Sequence, residues 1–445
     1  MPRSFDLFDT LISRLHYRPD SIFHRVEQAF PFPGFAFHRM AAQGQSDGSL
    51  PDIYRHVQKN MGISAEMAEK LMALEFQVEL SQIFPIVANL NQVQDGDLII
   101  TDTYYSKTQI AQILDHIQCR KKVEIHSLAR GKSSGKVWPD LKSRITRHLG
   151  DHPHSDVAMP RSFGIESEHY RGNELSKAEQ QMVQLDHLEL AYLMRALRLQ
   201  NPYSAPYDAL WNDQCQLNVP FLVHASLFLN DFCQKHKKKR VLFTTRDGCL
   251  WIQIFQALFP QYESHSFHSS RHVYMHPSPA YIEYVKSLYS EEALIVDCDG
   301  EGRTCRHFFR HHIGVKPTHL SIVKVERGLH SVLRYPRVCD AVEKINYDLS
   351  GTLYAYQEGP LRCPVEYDVQ FVQPSHDCVV KCVELLPRYA LGSFDRKVVR
   401  WAVKTMEKGL SVDQHISHSL VHFHVGEQHL HFLRNGEMIH KKLQL

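Results

Sequence analysis

Ser4-Phe5-Asp6-Leu7-Phe8-Asp9-Thr10-Leu11 sets two acids and a hydroxyl directly behind a minimal apolar strand. An aspartate at the carboxyl end of a strand, where the backbone turns away, can serve as a nucleophile and as a metal ligand at once. Asp6 is therefore the candidate reactive residue. Three later stretches supply matching chemistry. Asp97-Leu98-Ile99-Ile100-Thr101-Asp102-Thr103 is a short apolar run that ends in a hydroxyl, as a buried parallel strand would deliver one to a pocket. Lys132-Ser133-Ser134-Gly135-Lys136-Val137-Trp138 offers a cation in a Gly/Ser loop ahead of a predicted helix. His148-Leu149-Gly150-Asp151-His152-Pro153-His154-Ser155-Asp156 gives a Gly-Asp turn with a second acid five residues on.

Nucleophile, hydroxyl, lysine and paired acids, in that order, resemble the haloacid dehalogenase-like hydrolase superfamily over roughly the first 200 residues. The family's first motif maps to Asp6 and Thr10 and its second to Thr101. Its lysine maps to Lys132, through the pattern Lys-x-x-Gly-x-Val-Trp. Its fourth motif, Gly-Asp-x-x-x-Ser-Asp, is met by Gly150, Asp151, Ser155 and Asp156.

The resemblance implies phosphoryl transfer through an aspartyl phosphate at Asp6. It also implies Mg²⁺ held by Asp6, the Phe8 carbonyl and Asp151 or Asp156, with Thr101 and Lys132 on the non-bridging oxygens. Phosphatases of that family carry a second aspartate two residues after the nucleophile, to protonate the leaving oxygen, and here that position is Phe8. Asp9 and Asp102 are the neighbouring acids that could take its place, and family members with a non-acid there include dehalogenases.

The helical spacing of apolar residues over Ser21–Phe30, Leu50–Met61 and Ser64–Gln82 predicts a helical insert. The resemblance makes it a cap over the site, covering about residues 12–95. Strands at Leu98–Thr101 and Val123–Ser127, and helices at Lys107–Ile117 and Val137–Leu149, predict an α/β, Rossmann-like core with a doubly wound parallel sheet. A long helix over Asn173–Gln200 ends at Asn201-Pro202, which sets the expected boundary of the first domain at residue 200. A second α/β domain over 201–335 and a β-rich α+β region over 336–445 follow, the latter with one helix near Arg396–Lys408.

At 445 residues the chain is too long for a single core. Fifty-one Lys and Arg against forty-nine Asp and Glu give a formal charge of +2, which provides no footprint for nucleic acid. The basic run Lys235–Arg240 reads as a solvated helix end. Ten cysteines without paired spacing, and a nucleophile too near the first residue to leave room for a cleaved leader, predict a cytoplasmic protein with reduced thiols. No apolar stretch approaches the ~20 residues needed to span a bilayer, so membrane insertion is not expected.

In the second half, Leu242–Gly248 and Leu294–Thr304 are apolar strands that empty into Gly-containing polar loops, which suits them to anions. They are similar to strand-loop elements of type I phosphoribosyltransferases, although Cys298 stands where the second acid of that family's pair belongs. Arg246, Asp297, Asp299 and Thr304 are the candidate phosphate or nucleotide contacts. His422/His424 and His429/His431 alternate as a zinc-binding hairpin could, but thirty histidines make chance pairs expected, and they read as surface or packing residues. Three functions stay open: a Mg²⁺-dependent hydrolase acting on a small phosphorylated metabolite such as a sugar phosphate; a transferase or nucleotide-binding protein whose site lies in the C-terminal half; and a catalytically inactive interaction module.

Overall fold

Short apolar strands alternate with helices along most of the chain, and such units form parallel sheets because each crossover returns the chain to the same end of the sheet before the next strand begins. The computed structural model describes residues 2–30, 32–245, 247–300, 302–324, 330–335, 340–363 and 369–411. The fold is α/β. By its internal contacts the chain forms two units, Met1–Lys177 with Leu199–Pro202, and Ala178–Arg198 with Tyr203–Leu445.

In the first unit, β1 (Ser4–Phe5) is central. β2 (Ile12–Arg14) and β3 (Ile83–Pro85) form a separate antiparallel ladder. β4 (Leu98–Asp102), β5 (Glu124–Leu128), β6 (Arg147–Gly150) and β7 (Glu166–His169) complete a sheet of order β5-β4-β1-β6-β7, parallel throughout. The chain runs from β1 to one side for β4 and β5, then crosses to the other for β6 and β7. The strand order therefore reverses between β1 and β6, where open α/β sheets bind ligands. Asp6 and Asp151 are the first residues beyond these two strands.

Between β2 and β3 lie α1 (Ser21–Ala29), α2 (Phe35–Gln45), α3 (Leu50–Met61) and α4 (Ala65–Gln82). The Ser49 and Ser64 side chains accept from the Asp52 and Met67 amides and so cap α3 and α4. Phe23, Phe35, Ile53, Val57 and Leu71 of these helices share one buried cluster with Phe5, Leu7 and Leu11. Inside it Arg39 forks onto Glu75 through two bonds of 2.7 Å, both residues fully buried, with the rings of Phe23, Tyr54 and Tyr104 around the guanidinium. A second buried pair joins Arg14 Nε to Glu79 at 2.8 Å.

The expected helix over Val137–Leu149 is not continuous. Trp138–Leu141 makes a single turn, and Arg147–Gly150 is strand β6, because Ser4 and Phe5 pair in register with His148 and Leu149. The expected helix over Asn173–Gln200 is two helices, Lys177–Gln184 and Leu188–Leu199, broken by Asp186 at φ 67°.

The expected boundary at residue 200 also shifts. Residues 178–198 belong to the second unit, since the helix Leu188–Leu199 is apolar nearly all round and is buried there, with the Trp211 indole donating to the Leu197 carbonyl at 2.8 Å. Nor does the described part of 336–445 stand apart. Asn346 exchanges side-chain hydrogen bonds of 2.9 and 3.1 Å with Asn218 inside that same unit. This region is more helical than its sequence suggested, with helices Gln373–Leu385 and Arg396–Met406 beside one short antiparallel ladder, Leu353–Tyr356 against Pro360–Arg362.

The second sheet comprises β8 (Arg240–Thr244), β9 (Glu263–Phe267), β10 (Ala293–Asp299), β11 (His319–Lys324) and β12 (His330–Arg334), ordered β12-β11-β10-β8-β9 and parallel throughout. Its order reverses between β8 and β10. Among the described residues, no helix is long and apolar enough to cross a membrane. Arg246 and the four histidines from His422 to His431 lie outside the described residues.

Candidate active site

β1 hands Asp6 to the end of the sheet with its amide bonded to the Leu149 carbonyl at 2.8 Å. The chain then folds back tightly: the Leu7 carbonyl accepts from the amides of Leu11 and Ile12 at 2.9 and 3.0 Å. Asp9 sits in left-handed backbone at φ 58°, where its carboxylate takes the Ser13 hydroxyl at 3.2 Å. Leu7 and Leu11 are fully buried and hold the turn against the core.

Lys132 arrives on the loop after β5, and Asp102 at the end of β4 fixes that loop. Its two carboxylate oxygens accept from the Lys132 amide at 2.9 Å and from the Ser133 amide and hydroxyl at 3.1 Å each. The Trp138 indole donates to the Lys132 carbonyl at 3.2 Å from the other side. The ammonium is buried and reaches Asp6 Oδ1 at 2.5 Å and Asp156 Oδ1 at 2.6 Å.

Asp156 comes back to the sheet through a π-helical turn, Pro153–Ala158. Its Oδ2 accepts from the His152 amide at 3.1 Å, and its Oδ1 lies 3.1 Å from His148 Nε2. His148 is fully buried and its Nδ1 lies 2.8 Å from the Ser4 hydroxyl. A carboxylate cannot donate, so Nε2 carries the imidazole proton and Nδ1 accepts from Ser4. Gly150 leaves the space this requires: a Cβ there would stand 2.4 Å from Asp156 Cγ.

One carboxylate oxygen from each of Asp6, Asp151 and Asp156 lies within 4.8 Å of the others. Three carboxylates against one ammonium leave two negative charges in excess, and the protonation behaviour reflects this. Burial pushes the Asp6 carboxyl up to about 8 against the pull of Lys132, with Asp156 and Asp151 adding to the rise. Burial, then Asp9 and Asp156, push Asp151 up to about 7. Asp156 is buried too, but the His148 bond and the Lys132 charge hold it well below the usual carboxylate range. Lys132 stays firmly protonated, because Asp6 and Asp156 outweigh its burial. An all-oxygen donor set with a charge deficit of two suits a hard divalent cation such as Mg²⁺.

The structure therefore brings Asp6, Lys132, Asp151 and Asp156 together. Thr101, at the end of β4, is 1% exposed, and its hydroxyl makes no hydrogen bond among the described residues. Asp102 does not face Asp6 as a spare acid, because both of its oxygens hold the Lys132 loop. Asp9 lies 3.2 Å from the Ser13 hydroxyl and is the charged neighbour that most raises Asp151. Phe8 presents its ring to the Arg14 guanidinium, 4.6 Å from the ring centroid.

His148, Ser4 and Arg14 escaped the sequence reading. His148 was in plain view in its stretch, but its position beside Ser4 follows only from the parallel register of β1 and β6.

In the second unit, Asp297 and Asp299 lie at the end of β10 where the strand order reverses. Burial pushes Asp297 up to about 7, helped by Asp299 and Glu343. Its Oδ2 packs so close to Gly300, at φ 151°, that a Cβ there would sit 3.3 Å away. Thr304 follows on the short helix Arg303–Phe308. No protein-family model matches this chain, and no curated protein matches it.

Proposed function

We propose that the first unit is a Mg²⁺-dependent phosphoryl-transfer hydrolase of the haloacid dehalogenase-like kind, with Asp6 as nucleophile. The observation that carries this is Lys132 Nζ bridging Asp6 and Asp156 at 2.5 and 2.6 Å, with an Asp151 oxygen in the same cluster. Three distant segments meet there, beside the point where the sheet's strand order reverses. Mg²⁺, held by Asp6, Asp151 and Asp156 with the Phe8 carbonyl, would screen the approach of a phosphate dianion to the carboxylates.

The protein's own groups do the rest. Asp6 attacks phosphorus, while Lys132 and the Thr101 hydroxyl stabilise charge on the non-bridging oxygens. His148 keeps Asp156 in place through the bond that fixes its tautomer. The four-helix insert between β2 and β3 supports a cap that excludes water from the reaction. The nine described cysteines are all unpaired, which favours a reducing, cytoplasmic setting.

Asp6→Asn should abolish Mg²⁺-dependent turnover of para-nitrophenyl phosphate while leaving the thermal transition intact. Equal activity in both proteins would refute the assignment. An alternative is a transferase site in the second unit, favoured by Asp297 at the reversal point of the second sheet. Binding of a phosphoribosyl or sugar nucleotide that survives Asp6→Asn and fails in Asp297→Ala would support it.

A further inference from the structure

A phosphate ester splits readily when its leaving oxygen is protonated as the bond breaks, or when that oxygen is stable as an anion. Among the described residues around Asp6, the groups closest to the nucleophile that could deliver such a proton hold partners of their own. Two residues after the nucleophile stands Phe8, its ring under Arg14. Asp9 lies 3.2 Å from the Ser13 hydroxyl, which reaches Asn173 Oδ1 more closely at 2.8 Å, and its charge acts on both Arg14 and Asp151. Asp102 spends both oxygens on the amides of Lys132 and Ser133 and on the Ser133 hydroxyl. His148 lies fully buried behind Asp156, bonded on both nitrogens. The Tyr105 hydroxyl donates to Glu79 at 3.2 Å, and His169 Nε2 to the Asp151 carbonyl at 2.7 Å.

We propose that this site takes phosphoryl groups whose leaving oxygen departs as a stable anion, namely phosphoric anhydrides, acyl phosphates and aryl phosphates, and discriminates against alkyl esters such as sugar phosphates. The inference rests on Asp6 being the phosphoryl acceptor. In the first step an Asp6 oxygen bonds to phosphorus and the bond from phosphorus to the leaving oxygen breaks. Its electron pair stays on that oxygen, which exits as phosphate, carboxylate or phenolate with no proton required. In the second step a water oxygen bonds to phosphorus and the Asp6–phosphorus linkage breaks, restoring the carboxylate. The two water protons pass to the released phosphate and to solvent. An alkoxide has no such stability, so alkyl esters lose the whole contribution of a positioned acid, about 10²–10⁴ in rate. The same vacancy deprives the water step of a base, so phosphorylated Asp6 should accumulate.

The test is a leaving-group series on the full-length protein with Mg²⁺: acetyl phosphate, inorganic pyrophosphate, para-nitrophenyl phosphate, phenyl phosphate and glycerol phosphate. Phosphorylated Asp6 is followed by quench and mass spectrometry alongside phosphate release. The expected result is labelling of Asp6 by the acyl and nitrophenyl esters, with kcat/KM falling by about 100-fold or more from nitrophenyl to glycerol phosphate. Phe8→Asp should narrow that gap by raising the glycerol phosphate rate. Wild-type values within about tenfold across the series would overturn the substrate class. So would a gap that widens in Asp9→Asn, since Asp9 would then be the missing acid. No labelling of Asp6 by any compound would overturn the hydrolase assignment itself, and this inference with it. The wild-type series decides the matter even if Phe8→Asp disturbs the packing under Arg14.

Discussion

Replacing Lys132 with methionine keeps a stem of similar length and removes the one cation buried between Asp6 and Asp156. The side chains of these three residues are 3%, 7% and 1% exposed, so water cannot take the ammonium's place. Removing one partner of such a buried pair costs about 3–5 kcal/mol. The pH dependence follows from Asp6, whose carboxyl is pushed up to about 8. Below that pH Asp6 carries a proton with or without the lysine, so the deficit is the loss of the pair with Asp156. Above it the wild type releases the proton and Lys132 holds two carboxylates. The variant keeps the proton, because nothing offsets a second buried charge. The deficit should then widen by about 1.4 kcal/mol per pH unit.

Urea titrations in Mg²⁺-free buffer can follow this through Trp138, the first unit's single tryptophan; Trp211, Trp251 and Trp401 lie in the second. Adding Mg²⁺ should return part of the lost stability. A deficit under about 0.5 kcal/mol, the range of inert surface changes, or one that narrows as pH rises, would refute the electrostatic account.

Two further outcomes are expected. Gly150→Ala should destabilise the first unit by about 1–3 kcal/mol and abolish Mg²⁺ binding by calorimetry, because its Cβ would stand 2.4 Å from Asp156 Cγ. His224, fully buried, accepts the Asp395 amide at Nδ1, and burial lowers its proton affinity to about 3. Its folded pKa lies below the ordinary histidine value, so the unfolded chain binds the extra proton. Acidification below about pH 6.5 should weaken the second unit by up to about 1.4 kcal/mol per pH unit. His224→Gln should flatten that slope in thermal melts, and an unchanged slope would assign it elsewhere.

The acids and the lysine of the site were legible because strand ends in parallel sheets deliver side chains to one rim, and short motifs mark those ends. What ties them together was not. The bond from His148 to Ser4, and the grip of Asp102 on the Lys132 loop, depend on which strands are neighbours, a fact no local pattern carries. Val137, Trp138, Leu141, Ile145 and Leu149 show why the helix reading there failed: all five are buried at helical spacing, yet Ile145 lies in irregular chain and Leu149 in a strand. Burial set that rhythm, and burial can be met by more than one backbone. The absence of an acid at Phe8 was visible from the start. That both oxygens of Asp102 were already engaged required the side-chain positions.

The strand orders of the two sheets fix where each can open a crevice. In the first, three consecutive strands are laid down in one direction before the chain reverses, whereas in the second the reversal comes after two. Two strands therefore stand beyond the reversal point on one flank of the first sheet and three on the corresponding flank of the second, so loops that line the two crevices come from different places in the threading order and a residue's rank in one unit does not forecast its counterpart in the other.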